Sequence, residues 1–112
     1  MFTLNSDRIF LYREPINMNC GYDGLAGIAK SLLNEDPFSG AYFVFLNKRK
    51  DRVKIFYWDR DGFAIWMKRL ERGSFVLPNG ETSEKQCLDR RLLFMVLEGM
   101  KECKKTKRFS LK

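Results

Sequence analysis

Gly40 to Arg72 reads GAYFVFLNKRKDRVKIFYWDRDGFAIWMKRLER, and its alternation decides the fold. From Ala41 to Asn47, Tyr42, Val44 and Leu46 fall on one side and Ala41, Phe43 and Phe45 on the other. Both faces are therefore apolar, the mark of a central strand. Lys48, Arg49 and Lys50 follow as a basic turn. From Arg52 to Trp58, Val53, Ile55 and Tyr57 oppose Arg52, Lys54, Phe56 and Trp58. Asp59-Arg60-Asp61-Gly62 then reverses the chain, with Gly62 expected to take positive φ. In the next strand, Phe63 to Leu70, Phe63, Ile65, Met67 and Arg69 oppose Ala64, Trp66, Lys68 and Leu70. This reading gives the meander one aliphatic face and one that groups Phe56, Trp58 and Trp66 with Lys54 and Lys68. The stretch holds nine Lys or Arg against four acids, and cations interleaved with aromatics on strands suit an anionic partner.

Upstream, Arg8 to Arg13 is a short strand closed by Glu14-Pro15, because proline cannot donate to a ladder. From Tyr22, the apolar residues Leu25, Ile28, Ala29 and Leu32 mark one helix face, with Asp23 as a candidate cap and Asn34-Glu35-Asp36-Pro37 as the stop. Gly24 and Gly27 weaken this helix by about 1 kcal/mol each relative to alanine, so close packing on the sheet is expected of them. Downstream, Gly73 to Leu77 offers a further short strand before Pro78-Asn79-Gly80. Ser83 and Gln86 match a capping box, predicting a helix through Cys87, Leu88, Leu92, Met95 and Val96. The expected fold is one α+β domain over residues 1–100, an antiparallel or mixed sheet of four to five strands packed against two helices, in the order β-α-β-β-β-(β)-α. Residues 101–112 read as a basic, flexible tail.

The chain has 112 residues, enough for one core but not two. It lacks the apolar run of about 18 residues that a membrane span needs, and charges interrupt MFTLNSDRIFLYRE where a secretory signal would be apolar. A cytoplasmic location is expected. Cys20, Cys87 and Cys103 are widely spaced and read as reduced thiols, since their number is odd and the chain has no histidine. The lack of histidine also excludes Ser-His-Asp and Cys-His catalysis. Net charge is +7, and residues 47–72 and 101–112 carry all of the excess, which concentrates positive potential in two blocks.

Within those blocks, Lys48, Arg49, Lys50, Arg52, Lys54, Arg69 and Arg72, with Lys104, Lys105, Lys107 and Arg108 of the tail, are the candidate phosphate contacts. Ordinary alternatives exist for each group. The turn lysines also protect a strand edge, the arginines also form surface ion pairs with Asp59, Asp61 or Glu71, and the tail also serves as solubilising charge. Phe56, Trp58 and Trp66 are candidates for docking a partner, and burial as core is the competing reading that their bulk favours. Asp59 and Asp61 suit the turn better than a metal, because no third carboxylate completes a site.

Several ordered motifs carry a family resemblance. These are Asp36-Pro37-Phe38-Ser39-Gly40, Phe43-Val44-Phe45, Asp51-Arg52-Val53-Lys54, Trp58-Asp59, Gly62-Phe63 and Lys68-Arg69-Leu70-Glu71-Arg72-Gly73. Together with Tyr22-Asp23-Gly24-Leu25-Ala26, over roughly residues 9 to 100, the chain resembles the TnpB accessory proteins, the second open reading frame of IS66-type insertion sequences. These are unrelated to the RNA-guided nuclease of the same name. One departure is Asn17-Met18-Asn19-Cys20-Gly21, where the family has an Asp-Met-Arg-Lys-Gly run with two more cations. The resemblance implies a non-catalytic partner of a DDE-type transposase, needed for efficient transposition. The expected function is a transposition accessory factor that contacts DNA backbone or bridges DNA and transposase, with no cofactor and no metal. The alternative is a protein-only adaptor whose aromatic sheet face docks on the transposase or another accessory protein. Oligomer formation through a strand edge stays open.

Overall fold

A computed structural model describes residues 6–78 and 85–98. Ile9–Tyr12 forms β1, Tyr22–Ser31 α1, Tyr42–Leu46 β2, Arg52–Asp59 β3, Gly62–Arg69 β4, Lys85–Leu88 β5 and Arg90–Leu97 α2. One sheet contains all five strands in the order β4-β3-β2-β1-β5. β1 and β2 are parallel, and the remaining neighbours are antiparallel. The α+β class and the element order match the sequence reading, and the sheet is mixed. Its parallel pair follows from the connection, since returning a chain to the same end of a sheet takes a crossover, which α1 supplies.

The two helices lie on opposite faces. Phe10, Tyr12, Phe43, Phe45 and Phe56 pack with Leu25, Ala29 and Leu33 around α1. Ile9, Leu11, Val44, Leu46, Val53 and Ile55 pack with Leu93, Val96 and Leu97 of α2. Strands β1 and β2 are buried at every position, as strands covered on both sides must be. The expected split of β2 into a Tyr42-Val44-Leu46 face and a Phe43-Phe45 face is what these two clusters contain.

The β3-β4 faces need correction. Across the two-residue turn Arg60-Asp61, Asp59 pairs with Gly62, and each β3 residue then faces a β4 residue of opposite parity, Phe56 with Ile65 and Trp58 with Phe63. Phe56 and Trp58 therefore share the α1 face with Phe63, Ile65, Met67 and Arg69. Trp66 and Lys68 lie on the α2 face, where Trp66 packs against the aliphatic cluster. Positive φ in that turn belongs to Arg60 (φ 58°) and not to Gly62.

The C-terminal elements also differ from expectation. The segment from Gly73 to Leu77 is not a strand, although Phe75 is buried and its N–H donates to the Lys50 carbonyl at 2.6 Å. Residues Lys85–Leu88 pair with β1 as a strand instead of opening a helix. The helix starts at Arg90, where the Asp89 carboxylate accepts from the Leu92 N–H at 2.8 Å as its cap. Ser83, the expected cap, falls outside the described residues, as does the basic segment 101–112.

Helix α1 buries Leu25 and Ala29 as expected, but Leu32 is 47% exposed and Leu33, just past the helix, takes its place in the core. Gly21 is its N-cap without a side-chain bond, and Asp23 lies in the first turn, where its charge complements the helix dipole. Its two glycines are not equivalent and neither packs on the sheet. A Cβ at Gly24 would come within 2.5 Å of Cys20 Sγ, whereas one at Gly27 would meet nothing within 4 Å. Gly27→Ala is therefore expected to stabilise the domain by about 1 kcal/mol. Urea unfolding would measure it, and a lowered midpoint would contradict the open space.

Candidate functional site

The end of the sheet where β2 stops, β3 starts and β4 stops gathers the sequence-predicted cations. Arg52 is directly opposite Arg69 in the β3-β4 register. The Lys48-Arg49-Lys50 turn joins β2 to β3 at the same end, and three backbone bonds fasten it there. The Leu70 N–H donates to the Asp51 carbonyl at 2.7 Å, the Phe75 N–H to that of Lys50 at 2.6 Å, and the Lys50 N–H to that of Asn47 at 3.1 Å. Lys50 itself takes φ 59°. Arg72 lies in the exposed loop that follows β4.

Asn47 organises the turn. Its side-chain oxygen accepts the N–H groups of Asp51 (3.1 Å) and Arg52 (3.0 Å), and its Nδ2 donates to Asp51 Oδ1 at 2.7 Å. That side-chain bond is the main cause holding the Asp51 carboxyl below its usual range, with Arg49 and Arg52 adding to it against a smaller cost of desolvation. A depressed carboxyl contributes stability above its unfolded value of about 3.9 and loses it as pH falls through the lower folded value. Asn47→Ala is expected to lower stability at neutral pH and to flatten the acid limb of the stability profile below the ordinary Asp range. Urea titrations at stepped pH would detect both, and an unchanged acid limb would assign that limb to another carboxyl.

Among the described residues, Lys48, Arg49, Lys50, Arg52 and Arg72 make no ion pair. Arg69 pairs with Glu71 at 3.0 Å on an exposed surface, a contact worth little in water. Like charges directly opposite across two strands destabilise, so the Arg52-Arg69 pair favours an anion nearby. Arg52, Met67, Arg69 and Glu71 line a shallow depression of about 350 Å³ at this point. Lys54 does not belong to this surface. It is 6% exposed, and its ammonium donates to the carbonyls of Met18 (2.7 Å) and Cys20 (2.8 Å). Lys68 also points away, its Nζ bound to the Leu97 carbonyl at the end of α2 at 2.9 Å, where a cation complements the helix dipole. Lys104, Lys105, Lys107 and Arg108 fall outside the described residues.

The three candidate aromatics are dispersed. Phe56 is fully buried, Trp58 is half-buried on the α1 face, and Trp66 is half-buried on the other. The structure instead groups Trp58 with Phe38 and Phe63 at the opposite end of β3 and β4, with ring centroids 5.0 to 5.1 Å apart. Phe38 is 58% exposed. Sequence reasoning missed Phe38 and Phe63, and also the Arg52-Arg69 pairing. The pairing was within reach, since a two-residue turn at Arg60-Asp61 fixes every cross-strand partner. Among the described residues no cluster of three or more Cys, Asp or Glu side chains is placed to hold a metal, and no helix is long and apolar enough to cross a membrane.

Fold and site define a small layered α+β domain whose most exposed chemistry is a concentration of positive charge at one sheet end. More particularly, the chain belongs to the IS66 Orf2 like protein family, whose model matches residues 7–107. It is similar to the uncharacterized protein y4jC of Sinorhizobium fredii (strain NBRC 101917 / NGR234), 39% identical over 71 residues that cover 63% of this chain and 61% of that protein. A second protein of the same organism, the uncharacterized protein y4hO, is 32% identical over 74 residues, covering 66% of this chain and 64% of its own length. The chain thus spans less than two thirds of either relative. No solved structure gives a significant match.

Proposed function

We propose that the chain is a non-catalytic accessory factor of transposition that grips DNA backbone through the basic sheet end, or bridges DNA and the transposase there. Lys48, Arg49, Lys50, Arg52, Arg69 and Arg72 form the contact set, and the basic segment 101–112 adds a second block of positive charge to it. The observation that carries this reading is the Arg52-Arg69 pair beside a basic turn whose cations make no salt bridge among the described residues. Such a surface reads charge and not base sequence. Binding to element-end DNA, followed by fluorescence anisotropy at rising salt, is expected to fall steeply. Arg52→Ala with Arg69→Ala should lower the slope of log K against log salt by about 2, one counterion for each phosphate left without its arginine. An unchanged slope would overturn the assignment of these two arginines, and no binding at low salt would overturn DNA as the partner.

A second reading rests on the Phe38-Trp58-Phe63 cluster, where partly exposed rings pack on one another at the far end of the hairpin. Clustered aromatics are the usual anchors of protein interfaces. In this reading the protein is an adaptor that docks on the transposase or on another accessory protein, and its cations steer the encounter. Trp58→Ala with Phe38→Ala would then abolish co-purification with the transposase while leaving DNA binding intact.

A further inference from the structure

Strand β4 is an outer strand of the sheet, and no described strand pairs with its other side. The Leu70 N–H bond to the Asp51 carbonyl fixes the phase of the β3-β4 ladder, because hydrogen-bonded and non-bonded pairs alternate. Trp66 and Lys68 thus spend their backbone groups on β3, and Phe63, Ile65, Met67 and Arg69 direct theirs to the open edge. Proteins guard such edges with charges, proline or short length. The opposite edge, β5, has four residues and carries Lys85. By contrast β4 has eight, and its middle, Phe63 to Met67, contains neither a charge nor a proline. Its two cations sit at one end and are turned aside, Lys68 to Leu97 and Arg69 to Glu71. Met67, in the line of open residues, is 55% exposed.

We infer that this edge pairs with β4 of a second copy of the chain, antiparallel, with Ile65 facing Ile65 on the two-fold axis. The sequence is self-complementary in this register and in no neighbouring one. Ala64 of one copy faces Trp66 of the other, small against large on the α2 face. Phe63 faces Met67 on the α1 face, a favourable sulfur-aromatic pair. Asp61, in the turn just before β4 and without an ion pair among the described residues, comes within reach of the long Arg69 side chain of the other copy at each end of the ladder. Shifting the register by two residues one way sets Trp66 against Trp66 and Arg69 against Phe63. The other shift sets Gly62 against Trp66 and leaves Met67 beyond the start of the facing strand, without its aromatic partner. The matched register closes about six backbone hydrogen bonds between the copies through Phe63, Ile65 and Met67. It makes one continuous sheet, with both α1 helices on one side. The two basic ends then lie about 27 Å apart along the ladder, so the dimer presents two separate positive surfaces.

Arg69 belongs to the DNA contact set as well, so the test reads mass and covalent linkage and not DNA binding. Analytical ultracentrifugation of the full chain is expected to show a concentration-dependent dimer. Ile65→Lys places like charges on the two-fold axis and should leave a folded monomer by circular dichroism. Asp61→Arg or Arg69→Asp alone should weaken the dimer about tenfold, and both together should restore it, the signature of a charge pair across the interface. Ile65→Cys brings two thiols to the axis with Cα atoms about 5.5 Å apart, within disulfide reach. In a background with Cys20, Cys87 and Cys103 replaced by serine, mild oxidation should link that variant and not Ala64→Cys. A parent chain that stays monomeric at every soluble concentration overturns the inference. So does a dimer that tolerates Ile65→Lys, or one in which the double swap is no better than the single ones.

Discussion

Phe43→Ala is expected to destabilise the domain by about 3–5 kcal/mol, the range for emptying a large aromatic site in a core. Phe43 is fully buried at the centre of β2. In register it sits between Phe10 of β1 and Phe56 of β3, with ring centroids 5.8 and 6.5 Å away. Close packing of this kind does not relax around a missing ring, and α1 loses the surface that Leu25 and Ala29 pack against. A domain of this size has about 5–15 kcal/mol in total, so a large share of its stability is at stake. Phe43→Leu keeps most of the volume and should cost about half as much. Phe38→Ala, at a site 58% exposed where the ring touches only Trp58 and Phe63 among the described aromatic rings, should cost much less, about 1 kcal/mol, and serves as the control. A loss below about 1 kcal/mol for Phe43→Ala would mean that α1 is not seated on this face.

The central strands were legible because burial on both sides leaves an apolar residue at every position, and Tyr42 to Leu46 has no other explanation. The β3-β4 hairpin was legible as a hairpin but its faces were not. Alternation along one strand carries no information about the next until the turn length is fixed, and a two-residue turn inverts the parity. The same inversion hid the Arg52-Arg69 pair, the feature on which the basic site most depends. The stretch Lys85-Gln86-Cys87-Leu88 misled for a different reason. Ser83 and Gln86 have capping-box spacing, and Leu88, Leu92 and Met95 continue at helical spacing. Yet Gln86 and Leu88 are the buried pair of a four-residue strand, and the helix stripe is Leu93, Val96 and Leu97. Four residues are too few for period two to outweigh a longer helical pattern; only pairing with β1, a contact between distant segments, decides it. Likewise α1 was found, but its buried stripe was misplaced by one residue at its end, where Leu32 and Leu33 are chemically alike.

Lys54 shows how far a charge inventory can mislead, and it carries the second large expected effect. Lys54→Ala should cost about 2–3 kcal/mol, because two part-buried carbonyls lose a charged donor, and bonds to charged groups contribute about 1.5–3 kcal/mol. Those carbonyls, of Met18 and Cys20, belong to the turn that delivers the chain to α1. Locally, that turn is held only by short-range bonds, from the Asn19 N–H to Asn17 Oδ1 (2.8 Å) and from the Cys20 N–H to the Asn17 carbonyl (2.9 Å). The Ile16 N–H, donating to the Leu46 carbonyl of β2 at 2.9 Å, ties the start of the turn to the sheet, and Lys54 ties its end. Lys54→Met separates the two contributions, since the thioether keeps the apolar stem but donates nothing. Burying an ammonium is itself costly, so an apolar replacement of similar volume can be neutral when it frees both members of a pair from burial. Here it frees only one, because the acceptors are backbone and cannot be substituted away. The Met variant should therefore remain less stable than the parent, and hydrogen exchange should quicken first at Tyr22 to Leu25 and not in β2. A Met variant as stable as the parent, with unchanged exchange at the start of α1, would show that water takes over from the ammonium and that Lys54 contributes by its stem alone.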